Sequence, residues 1–326
     1  MTSRRFTLPI VLALALCSPA QAHSASPNYP NKPIRMIVPF PPGGATDIVG
    51  RIVASGLSKE LGETVVVENK TGGGGNIGTL ALSRSPADGY TIGIATLGTH
   101  ASNPACYPAG GYNPVEDFAP ISNLARTPNV LTTYPELPAK DFTSLMAYIK
   151  QNPGKTAFAS GGICGIHHMT GEYFKALTNT GIMHVPYRGS GPALIDVMAG
   201  RVQMLFDSLP GSLPGIRDGK LRPIAVASTE RLALLPDVPT YAEIGLKELN
   251  DPAWYGLVAP AGTPPTIIAK LNEAIKKTLE MPDTQAQISH IGAHVAYTSP
   301  EEFGEEIKKA AKKMKMVVKK QNIKPE

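Results

Sequence analysis

Short apolar runs alternate along the chain with stretches whose apolar residues recur every three to four positions. "IRMIVPF" opens the series, and a helical pattern covers residues 48–61 after it. "TVVVENK" follows, then a helix from about Ile77, then "TIGIAT". After a Pro-rich passage come "FAPISNL" and "NVLTTYP", a helix over residues 145–150, "TAFAS", a long helix from about His168, "MHVPY", a helix from Pro192, "VQMLFD" and "LRPIAVAS". Strand–helix alternation at this spacing predicts βαβ units and an α/β fold with parallel-rich sheets. Continuous apolar runs such as Val65-Val66-Val67 fit strands covered on both faces.

Two such sheets are expected. The first series closes near Thr96, and a second runs from about Thr156 to Ser228. "WYGLVAPAG" then reads as a strand returning to the first sheet. The predicted division is a first domain of residues 23–124 and 228–326 with a second, residues 125–227, inserted in it. Two crossings of the chain join them, and a ligand cleft lies between. Near the end, Phe303, Ile307, Ala310, Met314 and Val317 mark one stripe of an amphipathic helix, with its Lys face in water.

The first residues change the compartment. Arg4 and Arg5 precede "FTLPIVLALALCSPAQA", an apolar core ending in Ala20-Gln21-Ala22, which is the plan of a secretory signal peptide, residues 1–22, cleaved after Ala22. The expected location is the periplasm. The leader carries two Arg and no acid, so the remainder holds 29 basic against 26 acidic residues, a mild +3. No basic footprint with interleaved aromatics accompanies that surplus, which argues against nucleic acid as a partner. Charged residues are 17% and hydrophobic residues 42% of the 326, as in a folded globular chain. Cleavage leaves Cys106 and Cys164 in an oxidising compartment, where they either pair or remain free.

In open α/β sheets, ligands sit beyond the carboxyl ends of strands, where unpaired amides at helix N-termini favour anions. Four loops hold that position: residues 39–47, 97–103, 160–168 and 187–191. Their candidate binding residues are Phe40, Pro41, Gly43, Gly44 and Asp47; Leu97, Thr99 and His100; Ser160, Gly161, Gly162 and His168; and Tyr187, Arg188 and Gly189. In the first loop, Pro41 and Pro42 fix the exit from the strand, Gly43 and Gly44 bare the backbone, and Asp47 is expected to cap the helix. Apart from Arg188 the loops offer hydroxyls, imidazoles and bare backbone, a composition suited to holding an anion.

Two competing chemistries are weaker. "TGGGGNIG" contains Gly73-x-Gly75-x-x-Gly78, formally a dinucleotide fingerprint, but the strand before it reads as the second and no well-placed acid follows about 20 residues on. A turn that brings backbone close to a neighbour is the preferred reading. Catalysis would draw on His100, His167, His168, Asp207 and Ser160, yet no His-x-x-x-His, Cys-x-x-Cys or Gly-x-Ser-x-Gly spacing exists. The reading is therefore no enzyme, no metal and no cofactor.

The stretches "YPNKPIRMIVPFPPGGATDIVGRIVA", "VVVENKTGGGGNIGTLALSRSPADGYTI", "HVPYRGSGPALIDVMAGRVQMLFDSLP" and "WYGLVAPAGTPPTIIAKLNEAI" resemble the periplasmic solute-binding proteins of tripartite tricarboxylate transporters, the Bug family. The resemblance covers nearly all of the chain after the leader. It implies a two-domain, type II-like binding protein that closes over a small carboxylate (a di- or tricarboxylate, acidic amino acid or aromatic acid) and passes it to integral-membrane transporter subunits. A sensor or scavenger of the same fold is the alternative, and a monomer is the expected state. It places residues 41–47 on the ligand from one side and residues 160–168 from the other, with Tyr187, Arg188, Gly189 and Asp207 bordering the cleft. Arg188 is the charged donor expected to select dicarboxylates, while Phe40, Tyr107, Tyr187 and Phe206 are aromatic candidates for a ring-bearing acid. Two departures from the family pattern, at Gly162-Ile163-Cys164-Gly165 and at residues 103–112, carry both cysteines. Pairing of Cys106 with Cys164 would brace one rim of the site.

Overall fold

The computed structural model describes residues 28–107, 110–250 and 252–321. The expected leader and its cleavage site lie outside them. In chain order the first group is β1 (Ile34–Val38), α1 (Ala45–Leu61), β2 (Val65–Asn69), α2 (Asn76–Ser83), β3 (Thr91–Thr96), α3 (Asn103–Cys106) and β4 (Phe118–Thr127). The second is β5 (Asn129–Thr133), α4 (Phe142–Gln151), β6 (Ala157–Ser160), α5 (Ile166–Thr178), β7 (Met183–Pro186), α6 (Ser190–Met198), β8 (Met204–Ser208), α7 (Leu209–Arg217) and β9 (Arg222–Val226). The chain returns as β10 (Ala253–Pro260), α8 (Pro265–Glu280), α9 (Pro282–His290), β11 (His294–Val295) and α10 (Pro300–Gln321).

These strands form two sheets, in the orders β11-β4-β10-β3-β1-β2 and β7-β6-β8-β5-β9. Both contain the same unit. A first strand (β1 or β6) sits between a second (β2 or β7) and a third (β3 or β8), and all three are parallel. The sheets are mixed, not dominated by parallel pairs as the strand–helix alternation predicted. β10 runs antiparallel to β3 and β4, and β5 antiparallel to β8 and β9. The cause is connectivity: a strand reached through a crossing arrives from the other domain's side, so it enters its sheet from the opposite end.

The crossings also shift the expected boundaries. β4 stays in the first sheet through Thr127 and β5 begins the second at Asn129, so the chain crosses at Pro128, not at 125. The Pro128 carbonyl accepts the Leu209 amide at 2.8 Å, which ties the crossing to α7. On the way back, Tyr241, Leu246 and Leu249 pack into the second core. The return therefore falls just before β10, well after 228.

Each core is built from one apolar stripe per helix. Val49, Val53 and Leu57, four residues apart on α1, pack with Leu271, Ile275 and Leu279 of α8 over β1 and β3. In the second domain Phe158, Phe174 and Phe206 meet edge-on at 5.4 and 5.5 Å. Helix α5 lies so close over this cluster that a Cβ on Gly171 would stand 2.2 Å from the Phe158 ring. Glycine there sets the height of α5 above its sheet, and with it the position of the helix's first turn.

Helix α10 docks as its pattern predicts. Phe303, Ile307 and Met314 are buried, with Phe303 edge-on to Trp254 at 5.4 Å, while Lys308, Lys309, Lys312 and Lys313 are exposed. Among the described residues no helix is long and apolar enough to cross a membrane.

Candidate functional site

Between the two sheets lies a cavity of about 60 Å³, several times the roughly 10–15 Å³ that admits one water by the same measure. The first domain lines it with Phe40, Pro41, Gly44, Ala45 and Thr46, with Gly74, with residues 96–98, and with Ala253, Trp254 and Tyr255. The second contributes Gly161, Gly162, Gly165, Ile166, His167, Ser190 and Asp207.

Three helices begin at this cavity: α1, α5 and α6. Their N-caps are Gly44, Gly165 and Gly189, and none carries a side-chain cap. A helix's first amides have no acceptor within the helix, and Ser, Thr, Asp or Asn at the N-cap normally supplies one. Glycine leaves those amides bare, and the helix dipoles add positive potential at the same place. Among the described residues the cavity wall holds no Lys or Arg. Its attraction for an anion is therefore a property of the backbone.

The first loop is braced from behind. Asp47 is the third residue of α1 and not its cap, because the helix starts at Ala45, earlier than the apolar periodicity indicated. Its carboxylate reaches backward to accept the Gly43 amide at 3.1 Å and Arg51 Nε at 3.0 Å, and it accepts Asn69 Nδ2 at 2.8 Å. Burial alone would raise its pKa, but the bonds from Arg51, Asn69 and Gly43 outweigh that and hold it below the usual carboxylate range. Gly43 and Asp47 thus fix the loop's shape and face away from the cavity, leaving Gly44, Ala45 and Thr46 to face in.

Behind the second loop, Ser160 Oγ meets His184 Nε2 at 2.7 Å and lies 3.2 Å from the Gly162 carbonyl. His168 Nδ1 accepts the Cys164 amide at 2.9 Å, and its ring stacks on His184 at 4.0 Å. Both residues are buried supports of the loop and neither lines the cavity. The third loop differs more from expectation. Residues 98–102 form a π-helical turn in which Thr99 Oγ1 bonds Thr96 and His100 Nδ1, and His100 lies fully buried against Phe118 at 4.7 Å. Burial pushes the His100 pKa down to about 3, so it is neutral packing material. Only Leu97 of the three candidates there touches the cavity.

Tyr187 turns its hydroxyl to Asp196 at 2.7 Å, inside its own domain, and Arg188 is exposed. Neither lines the cavity, and Phe206 belongs to the second core. Gly189 has a different role: at φ 116° a Cβ would stand 2.4 Å from Pro41 Cδ, across the cleft. This is one closed lip. At the other, Gly74 of the glycine-rich turn lies against the opposite domain, where a Cβ on Gly162 would meet its Cα at 3.1 Å. Residues 72–75 are therefore a close-approach turn. Beside that lip Cys106 and Cys164 form a disulfide, with Cα atoms 6.1 Å apart.

Thr46, Ile166, Ser190 and the start of β10 were not among the binding candidates, and His167 was considered only for the catalysis set aside. His167 Nε2 lies 3.1 Å from Ser208 Oγ, and Nδ1 lies 3.9 Å from Asp207 Oδ1. Burial lowers its pKa, opposed by the neighbouring Asp207. One signal existed. Adjacent His167 and His168 point about 100° apart on a helix, so if His168 supports the loop its neighbour is free to face the cleft.

Comparison with known proteins agrees with this geometry. Residues 49–323 match the family model described as tripartite tricarboxylate transporter family receptor. The chain is 37% identical to protein BugT of Bordetella pertussis over 303 residues, 93% of each chain. A solved structure of a Rhodopseudomonas palustris protein with adipate is 34% identical, has a TM-score of 0.88, and is covered over 91% of this chain and 100% of that one. MatC of the same organism, with bound malate, is 31% identical with a TM-score of 0.85, over 89% of this chain and 100% of that one. Two mixed sheets about a cleft, three uncapped helix starts facing it and a match spanning most of the sequence lead to one assignment: the chain belongs to the receptors of the tripartite tricarboxylate transporter family, the Bug proteins.

Proposed function

We propose that this periplasmic receptor closes over a small carboxylate, held chiefly by backbone amides at the starts of α1, α5 and α6, and presents it to a membrane transporter of the tripartite type. The observation that carries this reading is the convergence of three glycine-capped helix N-termini on one cavity whose described wall holds no Lys or Arg. Adipate and malate in the two related structures are both dicarboxylates, which supports the ligand class. The leader over residues 1–22, removed after Ala22, accounts for export.

Closure follows from contacts made only when both domains touch the ligand. Amides from the first domain and from the second each satisfy part of one anion. The ligand therefore stabilises the state in which Pro41 meets Gly189 and Gly74 meets Gly162. Binding without turnover is expected, since Ser160 and Ser208, the two serines bonded to imidazoles, stand behind the wall and do not line the cavity.

Titration calorimetry of the secreted protein with adipate, L-malate, succinate and citrate tests the proposal. Saturable one-to-one binding of at least one acid, recovered unchanged afterwards, is the expected result. Absence of heat and of thermal stabilisation with all four, or chemical conversion of any of them, would overturn it.

A further inference from the structure

His167 and Asp207 face each other at the wall of the cavity, and the hydrogens around them can be counted. Ser208 Oγ has a single hydrogen, which goes to Asn129 Oδ1 at 3.3 Å. Tyr255 donates its hydroxyl hydrogen to the same oxygen at 2.8 Å. His167 Nε2, 3.1 Å from that oxygen, must then donate as well. In a neutral imidazole the other nitrogen carries a lone pair, and burial favours the neutral form here. Thus the Nδ1 lone pair of His167 is turned toward Asp207 Oδ1 at 3.9 Å.

Asp207 is fully buried. Its Oδ2 accepts the Ser212 hydroxyl at 2.9 Å, and Gly211 leaves it room, since a Cβ there would stand 2.7 Å from that oxygen. Among the described residues no donor reaches Oδ1. Two acceptors therefore confront each other with no hydrogen between them, in a wall otherwise designed to receive an anion. Leaving a buried carboxylate oxygen unsatisfied is costly, and a ligand carboxylate placed beside it would add repulsion. A donor carried on the ligand removes both difficulties.

We infer that Asp207, with His167 beside it, is a specificity-determining acceptor that reads an ammonium or hydroxyl group next to the ligand's carboxylate. The inference rests on the carboxylate-receptor reading and narrows it to amino or hydroxy acids. The backbone amides of α1 and α5 hold the acid group, and Asp207 distinguishes the substituted acid from the plain one. An ammonium fits best, because it has hydrogens for both Asp207 Oδ1 and His167 Nδ1, whereas a hydroxyl has one. Sites built to bond a ligand's donor reject analogues that lack it, because the protein's own acceptor is then left unpaired.

The test is calorimetric titration of the secreted full chain with succinate, L-malate and L-aspartate, which differ only at the substituted carbon. The native protein should bind the latter two at least about 10-fold more tightly than succinate, the factor expected for a hydrogen bond to a charged acceptor. Asp207→Asn should bring the three affinities together. Equal binding of succinate by the native protein, or a preference that survives in Asp207→Asn, overturns this inference and leaves the carboxylate reading intact. Binding of none of the three overturns both. The native ranking decides even where the variant fails to fold.

Discussion

Cys106 lies on α3 of the first domain and Cys164 in the loop before α5 of the second, so their disulfide joins the two domains across the cleft instead of bracing either one. It stands beside the lip formed by Gly74 and Gly162. The lip of Pro41 and Gly189 has no such bond. Opening must keep the two cysteine Cα atoms near their 6.1 Å separation. In the proposed closure, motion would therefore pivot on the cysteine side and on Pro128, with the gap for ligand exchange at Pro41.

Removing that tether should widen the unliganded protein. In the double variant Cys106→Ser/Cys164→Ser, small-angle scattering without ligand should give a larger radius of gyration than the native protein, and dissociation of bound acid should speed up. The bond closes a separation of 58 residues, for which chain entropy gives a stabilisation of about 4 kcal/mol. Identical scattering and dissociation rates in both proteins would remove the tether from the account.

The lip at Gly189 can be blocked by one methyl group. Gly189→Ala puts a Cβ 2.4 Å from the rigid Pro41 ring, at φ 116°. Full closure should fail, and affinity for a bound acid should fall at least about 10-fold, since contacts from one domain are lost. Gly219→Ala is the control: φ is 69° and nothing lies within 4 Å of its Cβ. It carries backbone strain of about 1–3 kcal/mol but should leave affinity unchanged. Equal affinities for the two variants would mean that the lip is not part of closure.

Buried imidazoles should make the fold sensitive to mild acid. The folded pKa of His100 is about 3 against 6.5 for the free side chain, lowered by burial. A depressed pKa means the unfolded chain binds more protons, so its contribution to stability is present above pH 6.5 and is lost as pH falls toward 3. From pH 7 to pH 5 the loss from this one group is on the order of 2 kcal/mol. His184, whose pKa burial also lowers to about 3, acts in the same direction. Thermal unfolding across pH 7 to 5 should show the fall, and His100→Gln should flatten it. A melting temperature independent of pH in that window would contradict the burial argument.

Much of this architecture was legible because it is local. The strand–helix alternation placed the loops that lead into α1, α5 and α6, and Gly44 was found from its strand and its neighbours Pro41 and Pro42. What escaped depends on distant partners. Asp47 looks like a cap in sequence, but Arg51 and Asn69 draw it into a backward bond that fixes Gly43. Helix α7 was hidden by Pro210 and Pro214, which interrupt its apolar pattern although the first sits in the opening turn. Thr99 and His100 carry the right chemistry for a site, yet a single π-helical turn rotates them into the core. The starts of α1, α5 and α6 lie two to three residues ahead of their apolar periodicity, because first-turn residues such as Thr46, Ile166 and Ser190 line the cleft and do not continue the core-facing stripe. That offset concealed Thr46, Ile166 and Ser190.

The most direct test of the central claim is a crystal structure of the secreted protein grown with L-malate. The account predicts a carboxylate group in the cleft, its oxygens within about 3.1 Å of backbone amides at residues 44–46 and 166–167, with both lips closed. A carboxylate bound instead to Arg188 or to the lysines of α10, away from these helix starts, would contradict it.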